Sequence, residues 1–137
     1  MSDPFPVLPA GWARGPGFSW GTASNGGRLL AIAGQLATRN GGMIVEPNML
    51  FVAQFGLALQ NVADVVSAAG GKPTDIMMLR AYVRDIEAFR RSSSEIREVW
   101  LKALGKHFPA MTMIEINRLF DPNAQVEIDG FAVIQSN

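Results

Sequence analysis

The spacing of apolar residues along this chain switches between a period near two and a period near 3.6, and the switches lay out its elements. Residues 18–22 and 29–34 are short β-prone runs separated by Ser24-Asn25-Gly26-Gly27. That cluster supplies the positive-φ residues of a hairpin turn, so the two runs are expected to pair. The stretch 29–35 is nearly continuous in apolar residues, as in a strand covered on both faces. Asn40-Gly41-Gly42 predicts a second tight turn before a short strand over 43–45. From 48 to 69 the period becomes helical: Phe51, Phe55, Leu59, Val62 and Val66 recur every three or four residues. Asn48 is placed as the N-cap, and Gly70-Gly71 with Pro73 beyond is the stop. A helix that covers a sheet must bury such a stripe, so the aromatics belong to the core.

Residues 75–85 alternate as a strand with Arg80 and Arg84 on one face. There they either bind an anion or are solvent-facing or salt-bridged edge positions. Helical spacing returns over 87–106 through Phe89, Ile96, Val99, Trp100, Ala103 and Leu104, and Gly105 and Pro109 bracket its end. Residues 108–134 hold two apolar β-prone runs joined by Asp121-Pro122-Asn123, read as a hairpin that forms one wall of a small-molecule site. In its first run Met111, Met113 and Glu115 share a face, opposite Thr112, Ile114 and Ile116. In its second, Glu127, Asp129 and Phe131 alternate with Val126, Ile128 and Gly130. Residues 1–14, with prolines at 4, 6 and 9, predict an irregular lead-in pinned by Trp12. The order of elements is that of an α+β domain in which a mixed sheet carries two helices on one face.

Composition narrows the function. With 137 residues and 48% hydrophobic content, the chain suits one domain with a real core, residues 1–137. Twelve basic residues balance twelve acidic ones, so neither nucleic acid nor an anionic membrane is an expected partner. There is no cysteine and one histidine, His107, which excludes disulfides, thiolate zinc sites and His-His metal sites; no metal and no cofactor are expected. The prolines of the N-terminus interrupt the apolar region a signal peptide needs, and no apolar run approaches a membrane span, so a cytoplasmic, soluble protein is expected. No Walker loop, dinucleotide fingerprint or Ser-His-Asp set can be assembled. Acid–base chemistry remains. Glu127, a carboxylate between apolar neighbours, orients a water or shuttles a proton if partly buried; otherwise it and Asp129 lie on an exposed polar face. Gly34 marks either a simple strand end or bulge, or the close approach of a ligand or backbone.

Several short pieces in order carry a resemblance. They are Gly34-Gln35 after the second strand, the helix running from Gln54 to Gly70 with its Ala-Ala-Gly-Gly end, Tyr82-Val83-x-Asp85, Phe108-Pro109-Ala110, and Val126-Glu127-Ile128-Asp129. Together they resemble the Rid family, the YjgF-like reactive-intermediate deaminases, over nearly the whole chain from Trp12 onward. The resemblance implies a chorismate-mutase-like fold, a homotrimer, and ligand pockets in the clefts between subunits. It also implies hydrolysis of small enamines or imines. In deaminating members an arginine after Phe-Pro-Ala holds the substrate carboxylate, a strand glutamate orients water, a backbone amide near the Gly-Gln pair adds a carboxylate contact, and a tyrosine from the first strand lines the pocket.

Carried onto this chain, Gly34 matches and Glu127 matches the catalytic glutamate, allowing one extra residue in the preceding turn. Phe18 stands where the tyrosine is expected, Ala33 replaces a frequent serine, Met113 replaces a residue often cysteine, and Met111 occupies the arginine position. A guanidinium grips a carboxylate with hydrogen bonds worth roughly 1.5–3 kcal/mol each, whereas methionine offers only apolar contact. Arg118, seven residues further on, lies roughly 23 Å away at strand rise and cannot substitute within one chain. The expectation is therefore a hydrolytic deaminase acting on a larger, less polar enamine, imine or ring-cleavage metabolite, with Phe18, Ala33, Gly34, Met111 and Met113 lining its site. The second reading is a non-catalytic metabolite-binding or interaction protein on the same trimeric scaffold. A ribonuclease finds little support in a neutral chain with one histidine.

Overall fold

A computed structural model describes residues 4–135. The strands are β1 (Phe5–Val7), β2 (Gly21–Ala23), β3 (Arg28–Gln35), β4 (Ile76–Val83), β5 (Ala110–Glu115) and β6 (Val126–Ile134), and the helices are α1 (Phe51–Ala68), α2 (Ile86–Arg91) and α3 (Ser93–Leu104). The α+β expectation holds: a four-stranded mixed sheet in the order β3-β6-β4-β5 carries α1 and α3 on one face. Within this sheet β4 and β5 run parallel and the other neighbours antiparallel.

The stripe on α1 is its inner face, with Phe55, Leu59, Val62 and Val66 fully buried. They meet Leu79, Ala81, Val83, Val126, Ile128 and Ala132 of the sheet and Ile96, Trp100 and Leu104 of α3 in one core. Each large apolar side chain so buried is worth about 1.5–3 kcal/mol. Helix α1 just reaches the length and mean hydropathy, 1.2, of a membrane span, yet its apolar face is spent on this core. It stops as expected: Gly70, at φ +84°, lets its own N–H reach Ser67 O and that of Gly71 reach Val66 O, both at 2.9 Å. Its start differs. Leu50 is the N-cap, without a side-chain bond, and Asn48 is in the left-handed region at φ +65°, which asparagine tolerates in a turn.

The single helix expected over 87–106 is two. Asp85 caps α2, its Oδ1 accepting from the N–H groups of Glu87 and Ala88 at 3.0 and 3.3 Å. The break falls at Ser92, the first of three serines whose hydroxyls compete with helical backbone bonds.

Three strand pairings depart from expectation. The runs in 108–134 form no hairpin, because β4 lies between β5 and β6. Their connection straddles the end of β4, with Ile116 N–H donating to Val83 O at 2.9 Å and Arg84 N–H to Gln125 O at 3.0 Å. The Asp121-Pro122-Asn123 turn itself is present, closed by Ala124 N–H donating to Asp121 O at 3.0 Å, and the Asp121 carboxylate accepts from Asn123 N–H at 2.7 Å and from Val45 N–H at 3.2 Å. Residues 43–45 are accordingly no strand. Val45 is buried as an anchor while Met43 and Ile44 are exposed. The expected first hairpin is also absent. β3 pairs with β6 along its length, and β2 pairs instead with β1. Thus the lead-in is not irregular throughout; Pro6 is tolerated because this two-stranded ribbon has free edges. Residues 1–3 of the lead-in lie outside the described residues.

Candidate functional site

The alternation of β6 sorts its residues onto two faces. Val126, Ile128, Ala132 and Ile134 are buried under the helices, so Glu127, Asp129 and Phe131 stand on the opposite, open face. The register with β4 sets Tyr82 opposite Glu127 and Arg80 opposite Asp129. Asp129 is held on three sides. Its Oδ1 accepts from Arg80 Nε at 2.8 Å, and its Oδ2 accepts from Arg80 Nη2 and from the Tyr82 hydroxyl, both at 3.2 Å. The guanidinium also lies 5.6 Å from the centre of the Phe131 ring. The ion-pair reading of Arg80 is therefore the one the structure supports. Arg84 reaches Pro122 O at 3.5 Å.

Glu127 turns the other way, toward β3. That strand shifts register between Ile32 and Gln35, a bulge at Ala33-Gly34. A Cβ on Gly34 would sit 1.8 Å from Glu127 Oε2 and 2.7 Å from its Cδ. Gly34 is thus both bulge and close approach, and what approaches is the glutamate itself. Burial pushes the Glu127 carboxyl above the ordinary glutamate range, and the neighbouring Asp129 carboxylate adds to the shift. Burial likewise raises the Tyr82 hydroxyl, with Asp129 again adding.

A carboxyl whose proton affinity rises on folding contributes stability that is complete below its unfolded value and lost as pH rises through the folded one. The ionised group therefore costs stability at neutral pH. Glu127→Gln is expected to melt about 1–3 °C above wild type at pH 7.5, and the gap should close below about pH 4. Thermal melts at the two pH values check this.

Met111 and Met113 lie elsewhere. They pair with Leu79 and Ala81 of β4, residues of the helix-facing side, and pack half-buried against the core. Phe18 lies beyond them at the β5 edge. Ser19 N–H donates to Pro109 O at 3.1 Å and its hydroxyl to Phe108 O at 2.6 Å, and the Phe18 ring stands edge-on to Trp20 at 5.0 Å. The six residues singled out in the sequence therefore fall into two groups. Ala33, Gly34 and Glu127 sit on β3 and its neighbour β6, while Phe18, Met111 and Met113 sit at the opposite edge. One chain does not bring them together.

Surface clefts of about 410, 270 and 740 Å³ lie, respectively, between α1 and residues 35–41, beside Phe18, Arg14 and Lys106, and around Arg84, Glu115 and Gln125. None of these includes Glu127 or Met111. Among the described residues no group of three His, Cys, Asp or Glu side chains is placed to hold a metal ion. The part of this site that sequence reasoning missed is Tyr82, whose hydroxyl completes the clamp on Asp129. Its position two residues from Arg80 on the same strand face was the available signal.

Comparison with known proteins bears on the fold and the family. Residues 16–134 match the model of the family described as Endoribonuclease L-PSP. A RutC family protein of Pyrococcus horikoshii is 28% identical over 111 residues, 80% of this chain and 82% of its own. The crystal structure of YyfB from Yersinia pestis, described as a Rid family protein of unknown function, superposes with a TM-score of 0.81 at 27% identity, covering 96% of this chain and 99% of that one. The YjgF gene product of E. coli superposes with a TM-score of 0.63 at 28% identity over 88% of this chain and 90% of its own. With its mixed sheet, its helices on one face and this match over most of its length, the chain belongs to the Endoribonuclease L-PSP family, the YjgF-like Rid proteins.

Proposed function

We propose that this protein, as a single YjgF-like domain in a cytoplasmic homotrimer, hydrolyses an enamine- or imine-type metabolite or related ring-cleavage product without a cofactor. The observation that carries the reading is Glu127, half-buried, seated over Gly34 and raised in proton affinity. A carboxylate taken out of water without a cation of its own needs a reason. Orienting a water is a fitting one. Glu127 would accept a proton from water as the oxygen adds to the C=N carbon and return it to the nitrogen, giving a carbinolamine; the hydroxyl proton then passes to that nitrogen as the C–N bond breaks, giving a carbonyl compound and ammonia.

The division of the site residues between two sheet edges supports assembly of the pocket from two copies, the β3–β6 side of one facing the β5 edge of the other. Met111 brings no guanidinium to that edge, so a small 2-iminoacid such as iminopyruvate is a poor fit, and a larger, less polar substrate is favoured. Ammonia release measured over a panel of enamines, imines and ring-cleavage products tests the reading. Turnover well above the uncatalysed rate for at least one member is expected, and none above it would count against an enzyme.

The packing of Met111 and Met113 into apolar surroundings favours the second reading, a non-catalytic metabolite-binding or interaction protein. A ligand that raises the melting temperature yet is never consumed would support it.

A further inference from the structure

Resting on the reading of Glu127 as the water-orienting group, we propose that Asp129 is its positioning residue, an anion locked by Arg80 and Tyr82 that holds Glu127 against Gly34 and governs its proton exchange. Both Asp129 oxygens are spent, Oδ1 on Arg80 and Oδ2 on Arg80 and Tyr82. A bidentate guanidinium fixes the plane of the carboxylate as well as its charge. The side chain is only 19% exposed, so little solvent competes for it.

Glu127 stands two residues away on the same strand face, about 7 Å at strand rise. Two ionised carboxylates so placed repel, and the one without a cation yields. The bulge and missing Cβ at Gly34 give it somewhere to go. Among the described residues, the charged and titratable groups around Glu127 on this face are Asp129 from β6 and Tyr82 and Arg80 from β4, and β3 brings Gly34 against it. Arg80 is committed to Asp129. The arrangement separates the two acids by environment, one pinned as an anion and one poised to take a proton. A purely structural role for Asp129, tying β4 to β6, would affect stability and leave the titration of Glu127 unmoved.

The test follows the Glu127 side-chain carboxyl carbon by NMR against pH in protein carrying ¹³C-labelled glutamate, the signal being assigned by its loss in Glu127→Gln. In wild type Glu127 is expected to titrate above the ordinary glutamate range. Asp129→Asn should lower that midpoint measurably, with the burial of Glu127 retaining the remainder of its elevation. Tyr82→Phe, which keeps the Arg80 pair, should move it far less. An ordinary midpoint in wild type, a measurement that needs no variant to fold, would overturn the proposal. So would a midpoint unchanged in Asp129→Asn. The two ideas fail separately. If Glu127→Gln keeps full turnover, the role of Glu127 is lost whatever the titration shows. If Glu127→Gln is inactive while Asp129→Asn shifts neither the midpoint nor the acid limb of the rate profile, only the role of Asp129 is lost.

Discussion

Gly130→Ala is expected to lower the melting temperature by roughly 10 °C, a loss of about 3 kcal/mol. Gly130 sits in β6 where β4 bulges: Met77 is the extra residue between the pairs Ile76–Ala132 and Met78–Phe131. At the bulge the Met77 carbonyl accepts from the Thr22 hydroxyl of β2. A Cβ on Gly130 would lie 2.0 Å from Met78 O, 3.1 Å from its carbonyl carbon and 3.2 Å from Leu79 Cα. All three are backbone atoms of a central strand with neighbours on both sides. No rotamer change relieves that overlap, so the ladder itself must open. Thermal and denaturant unfolding of the variant check the prediction, and a change under about 2 °C would show that β4 has slack the geometry does not suggest.

Gly34→Ala should do the opposite, leaving stability nearly unchanged while disabling the site. Here the added Cβ meets the carboxylate end of Glu127, a flexible group that can swing toward solvent. The fold survives, but the carboxylate leaves its seat. Displacement of a reacting group by about 1 Å can cost on the order of 100-fold in rate, and a loss of that size in kcat is expected with the melting temperature within about 2 °C of wild type. In a Glu127→Gln background the same substitution should cost no further activity, since both changes remove one function. Additive losses in the double variant would mean that Gly34 serves the site by another route.

What could be read in the sequence was what local period and turn chemistry encode. The five apolar residues of α1 announced a buried stripe, Gly70-Gly71 its end, and the alternation of 126–131 put Glu127 and Asp129 on one face, where they are found. Partnership between strands was not legible. The Asp-Pro-Asn turn looked like a hairpin because nothing local shows that β4 intervenes, or that Asp121 uses its carboxylate to anchor Val45. The glycines before Arg28 looked like a hairpin for the same reason, although β2 finds β1.

The candidate site was legible as a set of residues and not as a place. Gly34 could be flagged as a close approach, but its visitor comes from β6, far along the chain. That Met111 and Glu127 face opposite ways depends on how both strands register against β4. Tyr82 gained a role only once that register placed its hydroxyl beside Asp129.

The central claim is that Glu127 orients the attacking water. Its most direct test compares the kcat of Glu127→Gln with that of wild type on whichever member of the substrate panel wild type turns over, at matched folding. Loss of this group is expected to lower kcat by about 100-fold or more, in the range that general acid–base groups supply, with KM little changed. Equal rates for the two proteins would contradict the account.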